Sequence, residues 1–182
     1  MLLSIGQWPT KPFAWLLLFL GGAALLGAAL YFQAVLGLEP CVKCVYQRMA
    51  VVGIALSAIV GFIGSGFALL RWAGLLGWLY SSFEGLRIAY DHWDLQTSKN
   101  AFFAVCESAP DFPEWAPLHE WLPGLFAAPG LCGDIDWQWL GMGMPGWMTF
   151  IFGGLLVIAI IVTIAHFISL FKKRDGLVLY HK

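Results

Sequence analysis

Four long apolar runs constrain this chain more than any motif in it. They cover about 13–36, 44–63, 67–90 and 147–171. A helix needs about 20 largely apolar residues to cross the hydrocarbon core of a bilayer. None of the runs alternates like a strand along its length. In lipid a backbone must satisfy its own hydrogen bonds, so the runs read as four helices. The chain is 60% hydrophobic and only 12% charged, against roughly 45–50% and 25% for a soluble domain. The expected fold class is an all-α membrane protein: a four-transmembrane-helix bundle forming a single integral-membrane domain over 1–182. Its outer loops fall at about 37–43 and 91–146. The first run exceeds the roughly 7–15 apolar residues of a signal peptide and ends in no small-x-small site, so it reads as a retained helix.

Lysine and arginine set the orientation. Lys172, Lys173, Arg174 and Lys182 sit in the C-terminal tail, and Arg71 follows the tight turn Gly64-Ser65-Gly66. The segment 91–146 holds only Lys99, against Asp91, Asp94, Glu107, Asp111, Glu114, Glu120, Asp134 and Asp136. The basic ends are therefore expected inside and the acidic segment outside, with both termini cytoplasmic. All four cysteines, Cys41, Cys44, Cys106 and Cys132, then face the outer side. In a bacterial inner membrane that side permits disulfides. No basic patch interleaved with aromatic residues suggests nucleic acid. No GxxxG signature stands out in the spans, and there is no internal repeat.

The outer segment is rich in proline and tryptophan. It reads as a loop lying on the membrane, because tryptophan favours headgroup depth. The stretch from Pro113 to Leu122 suits a short interfacial helix. Cys106 and Cys132 lie on the two arms of this loop. On spacing alone, a structural staple closing the loop explains them as well as chemistry does.

The stretch Glu39-Pro40-Cys41-Val42-Lys43-Cys44-Val45-Tyr46-Gln47-Arg48 is different in kind. Proline marks a helix start. A thiol at a helix N-terminus feels the positive end of the dipole, which lowers its pKa. Cys44 lies one turn on, and Cys41, Cys44 and Arg48 share a helical face. The guanidinium stays charged, so it can stabilise a thiolate or the anion of whatever a thiolate attacks. Thiol–disulfide exchange runs through thiolate attack. At the membrane edge an apolar two-electron acceptor, a quinone, fits that face, with Arg48 on a quinone oxygen. Two blander readings stand beside it. The C-x-x-C pair could join Cys106 and Cys132 in a zinc site, although Arg48 opposes a cation there. Arg48 could also snorkel to headgroups.

Near the same boundary the third run carries Glu84, Arg87, Asp91 and His92. Glu84, Arg87 and Asp91 are spaced to neutralise one another. His92 is placed to donate to a quinone oxygen or pass its proton, or to sit as an ordinary interfacial histidine. His166, near the inner end of the last run, reads as structural.

Together these residues resemble the DsbB family, the inner-membrane disulfide-bond formation proteins of Gram-negative bacteria. The likeness rests on Cys41-x-x-Cys44-x-Tyr46-Gln47-Arg48, Tyr90-Asp91-His92, Phe112-Pro113-Glu114-Trp115 and Met144-Pro145-x-Trp147. It extends over nearly the whole chain, including the order of spans and the basic tail. The resemblance implies the relay established for the DsbA–DsbB–quinone system of the periplasm. Cys106 and Cys132 would form the disulfide that oxidises a periplasmic thioredoxin-fold oxidase of DsbA type, with Cys106 forming the mixed disulfide. Electrons would pass through Cys41 to the Cys41–Cys44 pair. Cys44 would face ubiquinone or menaquinone and form an adduct with it, with Arg48 and His92 binding the quinone. No metal is expected. Lys43 stands where an apolar residue is expected and should favour the thiolate; Asp91 stands where a glutamate is expected.

Overall fold

The structure is a computed structural model that describes residues 2–97, 110–133, 135 and 137–180. Cys106, Lys99, Glu107, Asp134, Asp136 and Lys182 lie outside the described residues, as do the side chains of Lys172, Lys173 and Arg174. A short helix α1 (Leu2–Gly6) and a 3₁₀ turn at Trp8–Thr10 precede helix α2 (Pro12–Ala34). Helix α3 (Val42–Ile63) follows, then a 3₁₀ turn at Gly64–Gly66 and helix α4 (Ala68–Thr97). After the loop, with its single turns α5 (Leu118–Trp121) and α6 (Pro123–Phe126), a hairpin β1 (Gln138–Trp139) and β2 (Met142–Gly143) leads into helix α7 (Met144–Tyr180).

Three stretches are long and apolar enough to cross a membrane: Pro12–Ala34, Val42–Gly66 and Met144–Phe171. Many of their large apolar side chains point outward, among them Leu17, Leu20, Ile63, Phe150, Val157 and Ile164. A soluble monomer rarely shows so much contiguous apolar surface, so the chain is a membrane protein. The third apolar run lies in α4, which is long but carries Arg71, Glu84, Arg87, Asp91 and Asp94 and is too polar to qualify on composition. It packs against both α3 and α7, while α2 packs on α3.

The core runs along these contacts through Trp15, Ile54, Leu75, Trp78, Phe152 and Val162. Trp15 and Trp78 meet edge to face at 6.5 Å, and Trp15 Nε1 donates to the Pro9 carbonyl at 2.9 Å. Helices α3 and α4 approach closely because small residues face each other. A Cβ added to Gly74 would press on the Gly61 backbone and the Ser57 carbonyl. Small residues at the contact are the usual means of close helix approach in lipid. Gly53, Ser57 and Gly61 are each four residues apart, a small-x-x-x-small stripe in which serine interrupts the GxxxG pattern. Gly74→Val is expected to push the helices apart and cost about 1–3 kcal/mol, seen as a lower thermal midpoint in detergent.

At the far end from the cysteines, Arg71 Nε donates to His166 Nε2 at 3.1 Å, and Arg71 Nη1 donates to the Ser65 carbonyl at 3.0 Å. His166 therefore carries its proton on Nδ1, which donates to the Gly6 carbonyl at 2.7 Å. The network ties α1, α4, α7 and the Gly64–Gly66 turn together, the structural role expected for His166.

Two local features depart from the all-α expectation. The 138–143 hairpin pairs Gln138 with Gly143 and Trp139 with Met142. Its turn holds Leu140 at φ 53° and Gly141 at φ 76°, the left-handed pair that a two-residue hairpin needs. Of the expected helix from Pro113 to Leu122, only Leu118–Trp121 is helical. Pro113 and Pro117 lack the N–H that a continuing helix requires, and Pro123 starts a separate turn.

Candidate functional site

The sequence around Cys41 places three functional side chains by local rules alone. Cys41 is the N-cap of α3, with extended backbone, and its sulfur accepts the Cys44 N–H at 3.4 Å. Cys44 sits in the first turn and Arg48 one turn later. Both cysteines are free thiols, and Cys41 Sγ donates to Cys44 Sγ at 3.0 Å. Cys41 is almost completely buried. The hydrogen bond it donates to Cys44, reinforced by its burial, raises its thiol above the ordinary thiol range. These contacts oppose the effect of the helix dipole on Cys41. The backbone N–H groups do favour a thiolate there, but a thiol that donates to its neighbour keeps its proton.

Arg48 turns inward rather than out to the headgroups. Its Nη1 donates to Gln33 Oε1 at 2.8 Å and to the Leu125 carbonyl at 3.1 Å; Nη2 donates to the Ala29 carbonyl at 3.4 Å. Among the described residues no carboxylate forms an ion pair with it. Three neutral acceptors hold a buried cation in place and leave its charge uncompensated. Gln33 is a site residue that sequence reasoning missed, although it is the one amide in the first apolar run.

His92, on α4, is 2% exposed. Its Nε2 lies 3.2 Å from the Cys132 carbonyl and 3.6 Å from Cys41 Sγ, and its Nδ1 lies 3.2 Å from Gln47 Nε2. The sequence placed His92 at the depth of Cys44 and Arg48; the fold places it between Cys41 and the arm of the loop that bears Cys132. Cys132 is buried and disulfide-bonded. Its partner and Cys106 lie outside the described residues.

The loop is anchored to the start of α3 at several points. Gly130 N donates to the Pro40 carbonyl at 3.1 Å. Asp111 N donates to Tyr46 Oη at 2.8 Å, and Arg48 holds Leu125. Gly130 has no room for a side chain, since a Cβ there would meet the Glu39 carbonyl. Gly130→Val is expected to lift this arm and separate Cys132 from His92. The check is faster alkylation of Cys41 and Cys44 by a water-soluble maleimide, by about tenfold for the loss of about 1.4 kcal/mol of protection.

These anchors border a cavity of ≈ 350 Å³ between α2, α3, α4, α7 and the loop. Cys41, Cys44, Arg48 and His92 line its polar end, and Leu25, Phe32, Trp147 and Ile151 are among the apolar residues of its wall. Lys43 faces the other side of α3. It lines a separate groove with Tyr46, Glu84, Arg87 and Asp91. Within that groove Arg87 pairs with Glu84 at 2.8 Å and with Asp91 at 3.7 Å, so these charges neutralise one another away from the cavity.

Cys41, Cys44 and His92 bring three potential metal-ligand atoms within 4.8 Å of one another. The donor set does not suit a cation. A carbonyl oxygen can only accept, so the contact with Cys132 requires a proton on His92 Nε2, the atom 3.6 Å from Cys41 Sγ. The Arg48 charge lines the same cavity, and Cys132 is already committed to a disulfide. The arrangement instead brings a free dithiol, a disulfide-bonded cysteine, an imidazole and a buried guanidinium around one apolar cavity.

Comparison with known proteins agrees with this constellation. The family model described as DsbB, Disulfide bond formation protein DsbB, matches residues 11–162. A protein of Idiomarina loihiensis named Disulfide bond formation protein B is 81% identical over 181 residues, covering 100% of both chains. Namesakes from Vibrio parahaemolyticus and Photobacterium profundum are each 43% identical. The first match covers 94% of this chain and 96% of the relative, the second 89% and 90%. With its paired thiols, buried arginine and apolar helices in this arrangement, the chain belongs to the DsbB family.

Proposed function

We propose that this chain is a disulfide-forming membrane oxidoreductase that passes two electrons from a periplasmic dithiol protein of DsbA type to a membrane quinone. The observation that carries the reading is the buried Arg48, which pairs with no carboxylate among the described residues and lines the same cavity of ≈ 350 Å³ as Cys44. That volume falls within the range of small-molecule sites, roughly 300–1,000 Å³, and the wall is mostly apolar. Arg48 would hold a quinone oxygen and stabilise the negative charge that develops on reduction.

The relay has three balanced steps. The partner's dithiol exchanges with a Cys106–Cys132 disulfide, leaving the partner oxidised and the loop cysteines as thiols. The loop dithiol exchanges with the Cys41–Cys44 disulfide through Cys41. The resulting Cys41–Cys44 dithiol gives two electrons and two protons to quinone, yielding quinol and restoring the disulfide. The free thiols of Cys41 and Cys44 correspond to the state before that last step. Their hydrogen bond supports Cys44 as the reacting sulfur, because Cys41 is the donor.

In this reading α4 is the fourth span, packed between α3 and α7 with most of its charges toward its ends. Both termini are cytoplasmic, the loop is periplasmic, and the protein resides in the bacterial inner membrane. Ubiquinone and menaquinone both meet the chemical requirement. The test is quinone reduction by purified protein, followed by absorbance, on addition of a reduced thioredoxin-fold partner. Reduction with either quinone supports the reading. Folded, oxidised protein that reduces neither would sink it in favour of inert structural disulfides.

A further inference from the structure

We propose that Gln47 is a positioning residue that fixes the His92 proton on Nε2, so that this N–H can move its hydrogen bond from the Cys132 carbonyl to Cys41 Sγ. The inference rests on the function proposed above and adds a residue to it. Its basis is a chain of contacts whose donors and acceptors have one consistent assignment. The Cys132 carbonyl, 3.2 Å from His92 Nε2, can only accept. A neutral imidazole has a single N–H, so Nδ1 must accept. The group facing Nδ1 is the Gln47 amide nitrogen at 3.2 Å, a donor. An amide oxygen in that place would set acceptor against acceptor. Gln47 is 5% exposed and also lines the cavity.

The same Nε2–H lies 3.6 Å from Cys41 Sγ. A small ring rotation exchanges one acceptor for the other. When a reducing thiolate such as that of dithiothreitol attacks Cys44, Cys41 leaves with the negative charge, and hydrogen bonds to an ionised acceptor are roughly twice as strong as neutral ones. The N–H then favours Cys41 over the carbonyl. The carbonyl keeps a donor, because Gln96 Nε2 lies 3.4 Å away. No proton or electron moves in this exchange. Its effect is to favour a charged Cys41 during the thiol–disulfide exchange, before a proton returns and Cys41 again donates to Cys44, while relaxing the grip on the loop arm that bears Cys132.

The test uses full-length protein in lipid nanodiscs, labelled with ¹⁵N-histidine, with the His92 signals assigned through His92→Gln. The expected spectrum shows Nε2 protonated and Nδ1 bare. Gln47→Met keeps the size and removes the donor. It should give mixed tautomers and slow the reduction of the Cys41–Cys44 disulfide by dithiothreitol by about 5- to 10-fold, the size of one hydrogen bond. Gln47→Glu accepts from an Nδ1–H while Nε2–H remains, so its rate should stay within about twofold of wild type, a shift smaller than one hydrogen bond produces. A wild-type spectrum with the proton on Nδ1 would overturn the proposal even if the variants fail to fold. So would a Gln47→Met protein with wild-type tautomer and rate. Spectrum and rate are both read without quinone or partner, so a failure of the proposed function shows separately, as absent quinone reduction by the wild type.

Discussion

Cys44→Ser protein is expected to lose quinone reduction by at least about a thousandfold, the scale seen when a covalent nucleophile is removed. Of the two paired cysteines, Cys44 is the more exposed residue. It lines the cavity and receives the hydrogen bond from Cys41. A serine hydroxyl neither ionises usefully at neutral pH nor forms a disulfide with Cys41. The substitution leaves Cys106 and Cys132 in the chain, so the variant should still capture its thiol partner as a mixed disulfide through Cys106. Two measurements on one preparation check this: quinone absorbance after addition of reduced partner, and a non-reducing gel of the trapped complex. Normal turnover would remove Cys44 from the relay. Loss of both signals would point to a folding defect instead.

Arg48→Ala should act on quinone rather than on thiols. Hydrogen bonds to a charged group are worth about 1.5–3 kcal/mol, so the quinone KM should rise about 10- to 100-fold, while turnover at saturating quinone falls much less. The substitution also strips a donor from Gln33 and from the Leu125 and Ala29 carbonyls, so some loss of stability accompanies it. A thermal midpoint measured beside the kinetics separates the two effects. An unchanged KM in folded protein would show that Arg48 serves the loop and α2 alone.

The two effects differ because the residues meet the cavity through different bonds. Cys44 changes covalent state in the proposed cycle; Arg48 does not. Arg48 is held by three neutral oxygens from α2 and the loop, which keeps its charge available in a mostly apolar space. A carboxylate in place of Gln33 would quench that charge. The amide at that position is therefore part of the site even though it touches no cysteine.

What the sequence determined by itself is local or set by the solvent. The apolar runs require helices because lipid offers the backbone no partners. The spacing of Cys41, Cys44 and Arg48 puts them on one helical face by the 3.6-residue period alone. Tertiary structure decided whatever depends on contacts between distant segments. Gln47 was visible in the motif without a role until α4 brought His92 against it, 45 residues on. The dipole at Cys41 was legible, but the hydrogen bond to Cys44 and the burial that outweigh it were not, since both depend on rotamers and on the loop above. The small face of α3 was written in the chain, and only the approach of Gly74 gave it a purpose. Periodicity encodes which side of a helix a residue takes; which other helix or loop meets that side is settled by packing the whole chain at once.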